Sequence, residues 1–331
     1  MWNFLGWLLA LLILAGSAVV FICSQQLIVP GPLTETKIIE IPRGSGLMQI
    51  GDTLKSENVI THEWAFVITA ILTNQRAGMK AGEYEFAAGA PMKDVLFKIN
   101  KGKIFERSIL IREGLTSYQV IDLLNKIDVL EGPLTTIPAE GTLMPDTYQY
   151  MRKEQRSVVL ARMQDAMTKA VAELWPMRAQ QLPLKTPLEA VTLASIVEKE
   201  TGVAEERQRV AGVFINRLKI GMKLQTDPTV IYALTMGKHQ DEGQGPLGRR
   251  LLRKDLEETN SPYNTYMYPG LPPGPIANPG RASLEAVLHP EIHDFLFFVA
   301  DGKGGHIFAK TAAEHERNVV QWRKIRAQGD D

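Results

Sequence analysis

The sequence predicts an α+β protein with three parts. A single N-terminal transmembrane helix comes first, then a small β-α-α-β module, then a larger mixed α/β domain with a glutamate near a helix C-terminus. Three observations carry that expectation. An uncharged apolar run opens the chain, β-branched stretches alternate with short amphipathic ones up to about residue 131, and longer helical periodicities with clear start signals follow. A chain of 331 residues is long enough for two cores. The expected boundaries are residues 1–23 for the anchor, 24–36 for a linker, 37–131 for the module and 132–331 for the larger domain.

The first charged side chain is Glu35, and Trp2 to Cys23 is apolar apart from Asn3, Gly6, Gly16 and Ser17. That run is long enough to cross a hydrocarbon core of ~30 Å as a helix. A cleaved signal peptide has a shorter apolar region and a small-residue cleavage site, whereas this run ends in Val19-Val20-Phe21-Ile22-Cys23. A retained anchor is expected. No Lys or Arg precedes it, so flanking charge gives no orientation. Pro30-Gly31-Pro32 reads as a short stiff stalk. Lys and Arg total 37 against 37 Asp and Glu, so nothing marks a nucleic-acid partner. One Cys and scattered His exclude a disulfide framework and suggest no metal site; no cofactor is expected.

Lys37-Ile38-Ile39-Glu40-Ile41 reads as a strand and Arg43-Gly44-Ser45-Gly46 as a turn. Leu47, Ile50 and Leu54 mark one short helix; Trp64, Val67, Ile68 and Ile71 mark a second; Gly82 to Phe86 returns as a strand. This order resembles a LysM-like module, a small fold that holds amino-sugar chains. The segment also echoes itself. Ile41, Gly44, Gln49, Asp52, Leu54 and Val59 recur as Ile111, Gly114, Gln119, Asp122, Leu124 and Val129, which reads as two copies of a strand-turn-helix unit.

In the larger domain, Leu160, Met163, Met167, Ala170, Val171 and Leu174 give a packing helix. Thr186, Pro187 and Glu189 signal the start of the next, as N-cap, first helical residue and capping-box partner. Gly202 suits its stop. Leu193, Ile196, Val197 and Glu200 share one face, so a carboxylate continues an apolar stripe. Burial and the helix C-terminus would both raise its pKa, toward the protonated acid that glycosidic cleavage needs. Glu198 lies on the smaller face of Val191, Ala194 and Ser195, so periodicity favours Glu200. Val210, Phe214 and Arg217 share a face of the following helix, which Gly221 ends. Asp227-Pro228-Thr229 favours capping by Asp227 over catalysis, leaving Gln225 and Thr226 to line a cleft. Lys238 to Lys254 reads as a surface loop, and Pro269 to Gly280 as a rigid wall. Tyr263, Asn264, Thr265 and Asn278 are candidates for holding sugars. A strand, an Asp301-Gly302 turn, a returning strand at His306 and a capping box at Thr311 and Glu314 close the chain; His306 is given a structural role.

The string Ala194-Ser195-Ile196-Val197-Glu198-Lys199-Glu200 is followed by Val213 to Leu218, Leu224 to Val230, Ser261 to Tyr266, Gly270 to Gly280 and Phe298 to His306. In that order these motifs, with Glu140 to Tyr148 ahead of them, resemble the MltG (YceG-like) family of membrane-anchored endolytic murein transglycosylases. Glu198 is kept as a substrate-binding candidate; the resemblance implies Glu200 as the catalytic group. It implies cleavage of the β-1,4 bond between N-acetylmuramic acid and N-acetylglucosamine in nascent peptidoglycan, leaving 1,6-anhydro ends. It also implies a single-pass protein of the inner (cytoplasmic) membrane, N-terminus inside and catalytic domain outside, associated with peptidoglycan synthases. Three other readings stay open. A muramidase would use Asp227 or Glu205 as a second carboxylate, a non-catalytic anchor would only bind peptidoglycan, and a pyridoxal enzyme of the aminodeoxychorismate lyase-like kind would need Lys199 and a phosphate cup.

Overall fold

In the computed structural model, residues 2–238 and 246–329 are described. The chain divides into two compact units, Met1–Arg107 with Gln149–Lys153, and Ser108–Tyr148 with Glu154–Asp331.

The first unit opens with α1 (Trp2–Ile28), whose Gly6–Ile28 stretch has a mean hydropathy of 2.5 and is long and apolar enough to cross a membrane. Then follow β1 (Lys37–Ile41), α2 (Leu47–Ser56), α3 (Glu63–Leu72), β2 (Gly82–Phe86) and α4 (Met92–Lys101). The expected β-α-α-β order is present, with β1 and β2 antiparallel and Ile39 opposite Tyr84. Alternate residues Ile39 and Ile41 face a core of Leu54, Phe66, Tyr84, Phe86, Leu96 and Ile99. Two expectations change. In α3 the buried face is Ala65, Phe66, Thr69 and Ala70, while Trp64 and Ile71 are exposed; Phe66 is the ring that α3 brings to the core. The stretch 24–36 is not a free stalk either: α1 runs on to Ile28, Leu27 packs on the core and Leu33 enters it. Gly31 N–H donates to the Gly89 carbonyl (3.2 Å) and Gly89 N–H to the Leu33 carbonyl (2.8 Å), which fixes that segment.

The chain passes to the second unit through β3 (Arg107–Leu110), continues into α5 (Ser117–Asn125), and returns through β4 (Thr147–Tyr150), which pairs with β3. Then come α6 (Arg156–Leu174), α7 (Pro187–Glu200), α8 (Arg207–Lys219), α9 (Asp227–Thr235), α10 (Arg253–Glu258), α11 (Arg281–Leu288), the hairpin β5 (Phe297–Ala300) and β6 (His306–Ala309), and α12 (Ala312–Gly329). Of the loop expected over Lys238 to Lys254, residues 239–245 lie outside the described residues and Arg253 begins α10. The units divide at 107/108, ahead of the expected 131/132. The second strand-turn-helix copy belongs with the later chain because its turn is bonded there: Gly114 N–H donates to the Asn278 carbonyl (3.0 Å) and Ile111 N–H to the Asp146 carbonyl (3.0 Å).

The repeat itself is structural. Gly44 and Gly114 both take left-handed φ angles, +84° and +74°. Gln49 Oε1 accepts the Gly46 N–H (2.9 Å) as Gln119 Oε1 accepts the Thr116 N–H (3.0 Å). Ile41 and Ile111, Leu54 and Leu124 are buried in each copy.

Helix α7 is the axis of the second core. Thr186 caps it, its Oγ1 accepting the Glu189 N–H (3.2 Å), with Pro187 first in the helix. Every residue from Ala190 to Val197 is buried, against α8, α9 and α11. A helix buried all round in its middle is a core helix, so periodicity alone does not define its functional face. Its stop also differs from expectation. Thr201 is extended (φ −138°) and Gly202 is not left-handed, because Thr201 Oγ1 accepts the Val203 N–H (3.0 Å) and turns the chain.

Candidate active site

Glu200 ends α7 where the buried helix reaches the surface. Its side chain keeps partial solvent access, yet protein surrounds the carboxyl closely enough that desolvation dominates and pushes its pKa up to about 7. Thr226 acts against that rise, Asp227 adds to it, and the charges of His306 and Arg217 oppose it. Helices α8 and α9, the turn between them and the β5–β6 hairpin thus supply the surroundings of one acid.

Each neighbour is held by its own bonds. Arg217 is buried on α8, with Nε donating to the Leu296 carbonyl (2.6 Å) and Nη1 to the Leu224 carbonyl. Its guanidinium lies 5.5 Å from the Phe297 ring. Asn216 beside it donates to the carbonyls of His293 (2.7 Å) and Phe295 (3.1 Å), tying α8 to the segment before β5. His306 is fixed twice by Glu206: its N–H donates to Oε1 (2.9 Å) and Nδ1 lies 2.7 Å from Oε2. That arrangement presents the Nε2 edge of the ring away from Glu206. Tyr266 donates its hydroxyl to Asp227 Oδ1 (2.6 Å), and burial raises the pKa of its phenol far above the usual value.

Asp227 is therefore not the expected cap. Thr226 holds the N-cap position without a side-chain cap bond, and Asp227 is the first helical residue, its carboxylate spent on Tyr266. Thr226 is 2% exposed, and its Oγ1 forms no hydrogen bond among the described residues although it lies close enough to favour the ionised form of Glu200. A buried hydroxyl without a partner costs free energy and marks a place where a ligand atom fits. Gln225 is exposed and held in a left-handed conformation (φ +49°), a strained state for a residue with a side chain.

The other sequence candidates divide sharply. Asn264 and Asn278 are fully buried, Thr265 is 1% exposed, and all three are used inside the protein. Asn264 Nδ2 donates to the carbonyls of Leu256 (2.9 Å) and Thr259 (2.9 Å). Thr265 Oγ1 accepts the Thr226 N–H (3.1 Å) and meets Thr229 Oγ1 (2.9 Å). Asn278 Oδ1 accepts the Leu143 N–H (2.9 Å), while Nδ2 reaches the Leu115 carbonyl (3.0 Å) and Ser117 Oγ (3.3 Å). These side chains brace loops and present no free group to a sugar. Tyr263 is half-buried, its ring 4.9 Å from that of Tyr232. Glu198 spends Oε2 on the Gly280 N–H (2.9 Å), which anchors the Pro-rich segment, and lies near Glu113, whose pKa burial and Glu198 together raise. Ile276 N–H donates to Ser195 Oγ (3.0 Å), pinning that segment to α7. Lys199 Nζ donates to the Gly114 carbonyl (3.3 Å), and no group of three potential metal ligands occurs among the described residues.

Sequence reasoning missed Tyr266, assigned Asp227 to a cap and gave His306 and Arg217 no catalytic part. Their proximity to Glu200 is a tertiary fact, spread over α8, α9 and the hairpin, with no local periodicity to announce it. It also passed over Glu140. That carboxyl is pushed up to about 7 by burial, accepts the Ser117 N–H (2.8 Å) and influences Tyr232 and Tyr263.

Comparison with known proteins places this arrangement. An endolytic murein transglycosylase of Bacillus subtilis (strain 168) is 33% identical over 310 residues, covering 84% of this chain and 82% of that relative. One of Streptococcus pneumoniae (strain D39) is 29% identical over 86% of this chain, which spans 58% of that longer protein. The crystal structure of a YceG-like protein from Listeria monocytogenes is 31% identical, with a TM-score of 0.51, covering 86% of this chain and 99% of that one. The family description that fits residues 39–321 takes in β1, the Glu200 helix and the closing hairpin alike, and the chain belongs to the YceG-like family.

Proposed function

We propose that this chain is an endolytic murein transglycosylase in which Glu200 serves first as acid and then as base. The observation that carries the assignment is the environment of that carboxyl: desolvated, pushed up to about 7, and bordered by Arg217, Asp227 and His306. Relatives named endolytic murein transglycosylase support the substrate class.

In the proposed reaction the protonated Glu200 gives its proton to the oxygen joining N-acetylmuramic acid to N-acetylglucosamine, and the C1–O bond breaks. Positive charge develops on the muramoyl ring while Glu200 becomes a carboxylate. The muramoyl 6-hydroxyl then bonds to C1 and its proton returns to Glu200, leaving a 1,6-anhydro end with no water consumed. General acid–base help of this kind is worth roughly 10²–10⁴-fold. Arg217 supplies positive charge beside the carboxylate as it forms, the electrostatic part of the acceleration. Gln225 and Tyr263 are the groups left to meet the sugars.

One observation favours a second reading. Asp227 lies within the electrostatic reach of Glu200, as a hydrolase with a second carboxylate would require. Its bond to Tyr266 argues for a role in holding Glu200 protonated instead. Digestion of isolated glycan strands followed by mass spectrometry decides between them. Anhydro ends, lighter by one water, support transglycosylation; ordinary reducing ends with incorporated solvent oxygen make the protein a muramidase.

In this reading α1 anchors the protein in the cytoplasmic membrane, with its short N-terminus inside and the rest outside. The β-α-α-β unit holds glycan as a LysM-like module, and the enzyme trims new strands beside peptidoglycan synthases.

A further inference from the structure

A cavity of about 590 Å³ opens among Lys223, Arg253, Leu256, Glu257, Tyr266 and Met267. Tyr266 belongs to both this cavity and the active site, since its hydroxyl holds Asp227 while its carbonyl accepts from Lys223 Nζ at 3.0 Å. The cavity therefore borders the point of cleavage. Its size falls in the range of small-ligand sites, roughly 300–1,000 Å³.

The charges lining it do not cancel. Arg253 Nε pairs with Glu257 Oε1 at 2.7 Å, one turn apart on α10. Lys223 forms no ion pair among the described residues; its ammonium is steadied only by a carbonyl dipole. A positive charge is left over, beside the apolar side chains of Leu256 and Met267. The sugar rings of a peptidoglycan strand are uncharged and offer such a lysine nothing. The muramoyl 3-oxygen does, because it carries a lactyl group, with a methyl and either a free carboxylate or a peptide stem bearing carboxylates of its own.

We propose that this cavity is the subsite for the carboxylate-bearing substituent on the muramoyl 3-oxygen next to the scissile bond, an inference that rests on the murein-cleaving function proposed above. Lys223 supplies the charge-assisted contact, Arg253 a second one once its fork turns from Glu257, and Leu256 and Met267 receive methyl groups. The volume exceeds what one lactyl group fills, which favours the peptide stem as the source of the carboxylate.

The test uses the full chain in detergent, wild type against Lys223→Glu and Arg253→Glu, both exposed positions whose folding is checked by thermal melting. The value of kcat/KM is measured on stem-bearing strands and on strands stripped by an amidase, and chitooligosaccharide binding is measured in a Glu200→Gln background as a neutral control. Lys223→Glu should lower kcat/KM on stem-bearing strands roughly tenfold, through KM, with chitooligosaccharide affinity retained. Loss on stem-bearing strands alone identifies the stem, and equal loss on both strands identifies the lactyl carboxylate. Unchanged kcat/KM on both, or an equal loss of chitooligosaccharide binding, overturns the proposal. Failure of the wild type to cleave either strand would instead remove the proposed function itself.

Discussion

At Glu200 the raised pKa makes both the activity and the stability of the enzyme fall as pH rises, a dependence its amide variant lacks. The carboxyl has an ordinary value of 4.5 when unfolded and about 7 when folded, so the native state holds the extra proton. Folding free energy is therefore lost as pH rises from 4.5 towards 7, and is constant beyond. Glu200→Gln should abolish cleavage and yet melt higher at pH 8, by about 1–3 kcal/mol, the gain vanishing near pH 4. Thermal melts of both proteins across that range check it. Asp227 raises the same pKa, so Asp227→Asn should move the alkaline limb of the kcat/KM profile to lower pH, by up to about one unit. An unmoved limb would show that Asp227 acts on something other than this proton. The desolvated setting of Glu200 was legible in the sequence because a carboxylate follows an apolar stripe, and the family motif falls on the same residue. Tyr266 and Asp227 were not, since a bond across thirty-nine positions leaves no local mark.

Among the elements, irregular loops explain why three sequence candidates became scaffolding. Backbone groups outside helices and ladders must find partners in side chains, and Asn278 supplies them for Leu143 and Leu115 at once. Asn278→Ala would leave the Leu143 N–H buried without a partner and should destabilise the second unit by about 2–4 kcal/mol, measured by denaturant titration, with far less effect on KM than on melting. Polar residues in a loop looked available because sequence shows their type and hides the direction they face. Start signals were read more securely than stops. Thr186 and Thr311 each mark a helix start as their spacing implies, because a cap is decided within four residues. Where α7 ends was decided by the Thr201 hydroxyl accepting the Val203 N–H, which Gly202 concealed.

For the whole molecule, the division at 107/108 shows that a repeat in sequence need not be a boundary in space. The two halves of the echo were visible; their separation into different cores was not, because it depends on the bonds of Gly114 and Ile111 to residues far along the chain. The first unit leans on its own lead-in: chains beginning at residue 24 lose Val19 but keep Leu27 and Leu33, whereas chains beginning at residue 37 lose both leucines from the packing and should be less stable than the residue-24 chains by about 1–3 kcal/mol. Equal melting of the two truncations would mean that Leu33 adds nothing. The matched turns at Gly44 and Gly114, with glutamines closing both, bear on descent. A duplicated ancestral hairpin-sized gene segment is the economical origin of that match. On that origin, the first copy builds the core of the first unit, and the second is tied by the Gly114 N–H to the Asn278 carbonyl of the Pro-rich segment.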